Sequence, residues 1–256
     1  GFVGIGSTPV TWSRAINLWF FKKRGLALGL TLIGTSLAAV FLPRLTVTLM
    51  EEFGWRGAFP GLAMLPIFLA FPIAFFLFKE PKADERPKEI SSSSGQNISG
   101  VTLNIALKDR RFWIIFTSIF TMALAYGGAH IHLPQILGQS GFSPKNAATI
   151  LGSLGIAIFV GRLLTGYLLD KFFAPFVTLP ILGLPALACW ILLGDGISTP
   201  MAFTAVILLG LAAGAEMDVI AYFAGRYFGM AHYGKIYGML YMPFGFAAAI
   251  SPAIYG

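Results

Sequence analysis

Mostly apolar stretches recur along the whole of this chain, at residues 1–21, 25–50, 57–78, 112–136, 146–169, 172–194, 200–225 and 236–256, with polar loops between them. A helix needs about 20 such residues to cross a bilayer, because the hydrocarbon core is about 30 Å thick and each residue adds about 1.5 Å. A lone segment in lipid satisfies its backbone N–H and C=O groups only as a helix. The expected fold is therefore an all-α polytopic membrane protein with about eight crossings. A composition that is 56% hydrophobic and 11% charged agrees, since soluble domains carry a far larger charged share. The first stretch is followed rather than preceded by Lys22, Lys23 and Arg24, so it reads as a span and not as a cleaved leader.

Basic residues orient these spans. With loops taken alternately, one side holds Lys22, Lys23, Arg24, the seven basic residues from Lys79 to Arg111, Lys171, Arg226 and Lys235; the other holds Arg56 and Lys145. That imbalance places the first set in the cytoplasm. It also accounts for the net charge of +7 without a nucleic-acid partner, because the charge sits in short loops beside the spans. Cys189 is the single cysteine and lies in an apolar run, which excludes an intrachain disulfide and leaves no zinc-ligand pattern.

The chain also repeats itself. Gly25-x3-Gly29 followed by Pro43 recurs 209 positions later as Gly234-x3-Gly238 followed by Pro252, each after a basic loop and opening an apolar span. Six crossings separate the two copies, which reads as parts of two six-helix halves, an internal symmetry common in secondary transporters. The connection from Lys79 to Arg111 contains Pro81, Pro87 and the run Ser91-Ser92-Ser93-Ser94-Gly95, too polar to fold alone. The expected organisation is residues 1–78 as the last three helices of an N-terminal half, 79–111 as a cytoplasmic linker, and 112–256 as the first five helices of a C-terminal half. On that count the chain corresponds to helices four to eleven of twelve; a complete eight-span protein is the alternative.

Several stretches resemble the major facilitator superfamily and, within it, the bacterial relatives of monocarboxylate and oxalate/formate carriers. WFFKKRGLALGLTLIGTSLAAVFLP resembles that group's fourth-to-fifth helix junction, and GRLLTGYLLDK at residues 161–171 resembles the cytoplasmic loop motif between helices eight and nine, with Gly166, Asp170 and Lys171 in place. HLPQILGQSGFSPKNAA, from His132, and GAEMDVIAYFAGRYFG, from Gly214, resemble the outer end of helix seven and the tenth-to-eleventh junction. The resemblance implies a multi-pass carrier of a bacterial inner membrane. One departure stands out: where the animal monocarboxylate carriers place an Asp four residues before the helix-eight Arg, this chain has Ile158.

Charges inside spans carry the functional reading. An ionised side chain at the middle of a membrane helix costs about 2.5–3.5 kcal/mol on insertion scales, so each needs a partner, a cavity or a route to the surface. Arg162 lies eight residues from Asp170, about 12 Å along the axis, too deep for an easy exit. Its permanently charged planar fork suits a carboxylate, which makes a small organic anion the expected substrate. Glu216 and Asp218 stand ten and eight residues before Arg226, near mid-bilayer, and at a spacing of two they face different ways. At least one is expected to exchange protons, with neutral or Arg-paired structural acids as the alternative. Tyr222, four residues after Asp218, is expected to steady that carboxylate or touch substrate.

Arg14 divides between the cavity wall and a reach toward headgroups. Arg44 reads as an outer anchor near Glu51 and Glu52. In Tyr126-Gly127-Gly128 the helix weakens before His130, His132 and Pro134, which suits an outer gate; His132 is a candidate substrate or proton contact. His130 and His132 diverge on a helix and so do not form a metal pair. Gly25, Gly29, Gly34, Gly238 and Gly245 are expected to let helices pack closely. The expected activity is proton-coupled transport of a monocarboxylate-like anion by alternating access, with exchange, efflux or a transporter-like sensor as alternatives. The expected partners are the anion, protons and the lipid bilayer; no cofactor, metal or catalytic residue is expected. A membrane-embedded enzyme built on His130, His132, Glu216 and Asp218 lacks convergent spacing.

Overall fold

A computed structural model describes residues 8–82, 85, 87, 99–194 and 196–255, except the side chains at 39, 40, 43, 44, 47 and 144. The first seven residues, the Ser91–Gly95 run and the Arg44 side chain thus lie outside the described residues. The described chain is helical: α1 (Pro9–Trp19), α2 (Arg24–Leu65), a π-helical turn (Pro66–Ala70), α3 (Phe71–Leu77), α4 (Leu103–Ala106), α5 (Arg110–Gln139), α6 (Pro144–Lys171), α7 (Ala174–Leu192), α8 (Thr199–Tyr227) and α9 (Tyr233–Tyr255).

Local chemistry sets these boundaries. Asp109 caps α5 by accepting from Arg111 N at 2.8 Å, and Ser143 caps α6 by accepting from Asn146 N at 3.3 Å, each satisfying an otherwise orphaned first-turn donor. Pro144 and Pro200 occupy first-turn positions, where the missing N–H is harmless. Inside α2, Gly54 adopts φ 66° and ψ 174°, a left-handed conformation that glycine reaches without steric cost. The chain doubles back there: Gly61 faces the Leu49 side chain, and the end of α3 returns to α1, where Trp12 meets Phe78 edge-on at 5.1 Å and Trp19 Nε1 donates to Lys79 O at 3.0 Å.

Among the described residues, six stretches are long and apolar enough to cross a membrane: Thr48–Leu77, Arg110–Gln139, Lys145–Lys171, Ala174–Leu192, Thr199–Tyr227 and Tyr233–Tyr255. They cover the expected spans from residue 57 onward. The expected 25–50 span is helical as the first part of α2, and α1 occupies residues 9–19 of the first. Burial ranks them. In the most apolar window of α8, 61% of residues are buried, against none in that of Thr48–Leu77. The central helix is therefore α8, packed by α6, α7 and α9, while most side chains of 48–77 are exposed.

Small residues make the central crossings close. A Cβ at Gly161 would meet Leu211 O at 2.5 Å, and one at Gly214 would overlap Ile158 O, so α6 and α8 touch backbone to backbone. Gly25 and Gly166 meet in the same way where α2 crosses α6, and a Cβ at Gly29 would lie 2.9 Å from Arg162 O. Gly34, Gly238 and Gly245 differ from the expectation, with nothing within 4 Å of their would-be Cβ positions. Close packing therefore uses one copy of the glycine repeat, at Gly25 and Gly29, and not its counterpart at Gly238.

Candidate substrate and proton site

Three intramembrane charges of the sequence reading are buried near one another. Arg162, at 6% exposure, projects from α6 toward Asp218 on α8, at 0%. Arg162 Nη1 stands 3.9 Å from Asp218 Oδ1, the outer limit of an ion pair and beyond hydrogen-bonding distance. Neither Asp218 oxygen has a hydrogen-bond partner among the described residues, nor do Arg162 Nε and Nη1. Glu216 Oε1 is likewise buried and unpartnered. Buried polar atoms are almost always paired because an unmet one costs about 1–3 kcal/mol. Arg162, Glu216 and Asp218 depart from that rule together.

The two acids face apart, as a spacing of two on a helix requires. Asp218 lies under the α2–α6 crossing, where a Cβ on Gly29 would be 3.7 Å from its Oδ2. Glu216 is within electrostatic reach of Tyr126 on α5 and Tyr241 on α9. Tyr237 on α9 links the two sides: its hydroxyl is buried without a partner and lies within electrostatic reach of Arg162, Asp218 and Glu216. Sequence reasoning missed it. Its signal was present in the spacing Tyr233, Tyr237, Tyr241, which puts three phenols on one face of α9, with successive rings 5.7 and 6.1 Å apart.

The other candidates sit elsewhere. Tyr222 donates its hydroxyl to Leu169 O at 2.9 Å instead of to Asp218, and lies toward the basic end beneath the Arg226 guanidinium. His132 Nε2 stands 3.2 Å from Pro252 O, and its ring stacks on Tyr255, which ties the outer parts of α5 and α9. His130 instead stacks on Tyr126 at 5.2 Å. Arg14 points away from the cluster to an exposed ion pair with Glu80 at 2.8 Å, a link that fastens α1 to the chain following α3.

The loop motif forms a lock at the basic end. Asp170 accepts from Gly25 N at 2.8 Å and Leu26 N at 2.9 Å, so one carboxylate caps the first turn of α2 from the end of α6. Charge-assisted bonds to orphan amides at the positive end of a helix are the stronger kind. Gly166 supplies the close approach that lets this happen, and Lys171 Nζ lies over the Tyr167 ring at 4.5 Å. Between α1 and α9, Asn17 Nδ2 donates to Ser13 O at 2.9 Å and lies 3.3 Å from Tyr233 Oη, which in turn is 2.9 Å from Ser13 Oγ. Contacts of α1 and α2 with α6 and α8 thus include the basic end and the level of Gly29, Arg162 and Asp218; further along α2, Leu32 and Ser36 are buried while Gly34 is open.

Known proteins share this chain's pattern. The model of the Major Facilitator Superfamily matches residues 1–252. The MFS-type transporter pytF of Aspergillus terreus is 27% identical over 61% of this chain and 50% of its own length. The benzoate transport protein of Acinetobacter baylyi is 25% identical over 88% of this chain and 54% of its own length. The gentisate transporter of Corynebacterium glutamicum is 29% identical over 55% of this chain and 31% of its own length. The chain spans about half the length of the first two of these relatives, 50% and 54%. A multi-pass integral membrane protein, it belongs to the major facilitator superfamily.

Proposed function

We propose that the full-length protein is a secondary active transporter of small organic anions, proton-coupled, working by alternating access. The observation that carries this reading is the Arg162 guanidinium, buried at mid-helix, with Nε and Nη1 unpartnered and its nearest acid 3.9 Å away. A permanently charged fork held open in a low-dielectric interior favours a carboxylate strongly, since the anion supplies both charge and two acceptors. The benzoate and gentisate named in two relatives are aromatic carboxylates, and two tyrosines of α9 lie within electrostatic reach of the charges, Tyr237 of Arg162 and Tyr241 of Glu216.

In this reading Asp218 holds Arg162 while the site is empty and yields it when substrate arrives. Glu216, unpartnered and facing Tyr126 and Tyr241, carries the coupled proton. The lock of Asp170 on α2 keeps the cytoplasmic end shut while the site loads from outside. Reconstituted full-length protein should accumulate labelled benzoate under an inward proton gradient. Uptake that requires a carboxylate-loaded lumen and ignores the gradient would replace proton coupling with exchange, and no uptake of any small carboxylate would overturn the substrate class.

A further inference from the structure

A cavity of about 330 Å³ opens at the basic end, well below Arg162, walled by Phe21, Arg24, Arg226, Tyr227 and Met230. Its roof is the end of the linker: Gly100 bridges to Gly229, and Ser99 O accepts from Met230 N at 2.8 Å. Arg24 enters from α2 and is 96% buried, its residue exposure being 4%, yet its Nε has no hydrogen-bond partner. Its recorded companion is the Phe21 ring at 5.4 Å. Gly225 makes room for it, since a Cβ there would stand 3.2 Å from Arg24 Nη1. Arg226 enters from α8, lies over the Tyr222 ring at 5.9 Å, and is within electrostatic reach of Arg24.

Among the described residues, no acid forms an ion pair with either guanidinium. Asp170 is the carboxylate within electrostatic reach of Arg24, and both its oxygens are engaged by the Gly25 and Leu26 amides. Two guanidiniums therefore face one cavity from opposite sides of the seam, each with a planar fork that takes two acceptor oxygens. A carboxylate satisfies one fork. Free phosphate offers more than two oxygens and a charge between one and two, enough for both; a phospholipid diester carries one charge and two unesterified oxygens, one for each fork.

We infer that this cavity binds a phosphate group between Arg24 and Arg226, and that the bound group clips α2 to α8 and stabilises the closed cytoplasmic end. The group belongs either to a soluble phosphate or to a phospholipid headgroup of the inner leaflet. The inference is independent of the anion reading at Arg162.

The test is the unfolding temperature of full-length protein in a maltoside detergent, with inorganic phosphate or with phosphatidylglycerol, against chloride at matched ionic strength. Either ligand should raise it by a few degrees, and the rise should vanish in Arg226→Gln, an exposed position whose loss leaves the fold intact, and in Arg24→Gln. An effect of both ligands assigns the site to soluble phosphate, and one confined to the lipid assigns it to the headgroup. No rise in the wild type, an equal rise with acetate, or a rise that survives in Arg226→Gln would overturn the inference.

Discussion

Two aspartates on neighbouring helices have opposite surroundings. Asp170, at the end of α6, spends both oxygens on the amides of Gly25 and Leu26, at 2.8 and 2.9 Å. Asp218, in the middle of α8, is buried with neither oxygen hydrogen-bonded, and its nearest cation stands off at 3.9 Å. The first is a finished structural joint between α2 and α6. The second lies beside close-packed glycines that fix the backbone while its oxygens stay without a hydrogen bond. In the proposed transport cycle the first acts as a lock of modest strength at one end, and the second leaves an unfinished region at mid-helix.

The largest expected effect comes from closing off the unfinished region. Arg162→Ala removes the anion fork, and carboxylate uptake into liposomes should fall by about 100-fold or more, since truncating one partner of a buried hydrogen-bonded charge pair costs binding about 2–5 kcal/mol. Glu216→Gln should abolish gradient-driven accumulation while sparing exchange between carboxylate pools, measured with and without a preloaded lumen. If accumulation persists in that variant, the coupled proton rides elsewhere, with Asp218 the next carboxylate to test.

The lock is tested by Gly25→Val, whose side chain would overlap the Gly166 carbonyl; overpacking of this kind costs roughly 1–3 kcal/mol and should lower the unfolding temperature. Asp170→Asn keeps the shape and loses the charge. It should weaken the closed state by about 1–2 kcal/mol, about a tenfold shift toward the open form, read as the distance between spin labels at the exposed positions 23 and 235. Smallest of all, Arg14→Ala and His132→Ala should each change uptake by less than about twofold, because one loses an exposed ion pair worth about 0–1 kcal/mol and the other a carbonyl contact at the outer end. A tenfold loss in His132→Ala would return that histidine to the substrate path.

The sequence made the helices easy to read and their contacts hard. Span positions follow from length and apolarity, so residues 112–136 and 200–225 anticipated α5 and α8 to within a few residues. Counting from Asp170 and Arg226 put Arg162, Glu216 and Asp218 well inside their spans, and all three are buried. Direction around each helix was not. Spacing alone placed Tyr222 on the face of Asp218, yet a backbone carbonyl on α6 captures its hydroxyl. Arg14 was ambiguous because its partner, Glu80, is 66 positions away, and Tyr237 went unnoticed because its neighbours come from α6 and α8. The glycine repeat was visible, but which copy packs tightly depends on the helix that crosses it, and only Gly25 and Gly29 meet α6.

If Arg162 is held open for an anion, isothermal titration of benzoate into purified full-length protein should give saturable heat in the wild type and in Arg24→Gln, and none in Arg162→Gln. Benzoate binding of unchanged affinity in Arg162→Gln would contradict it.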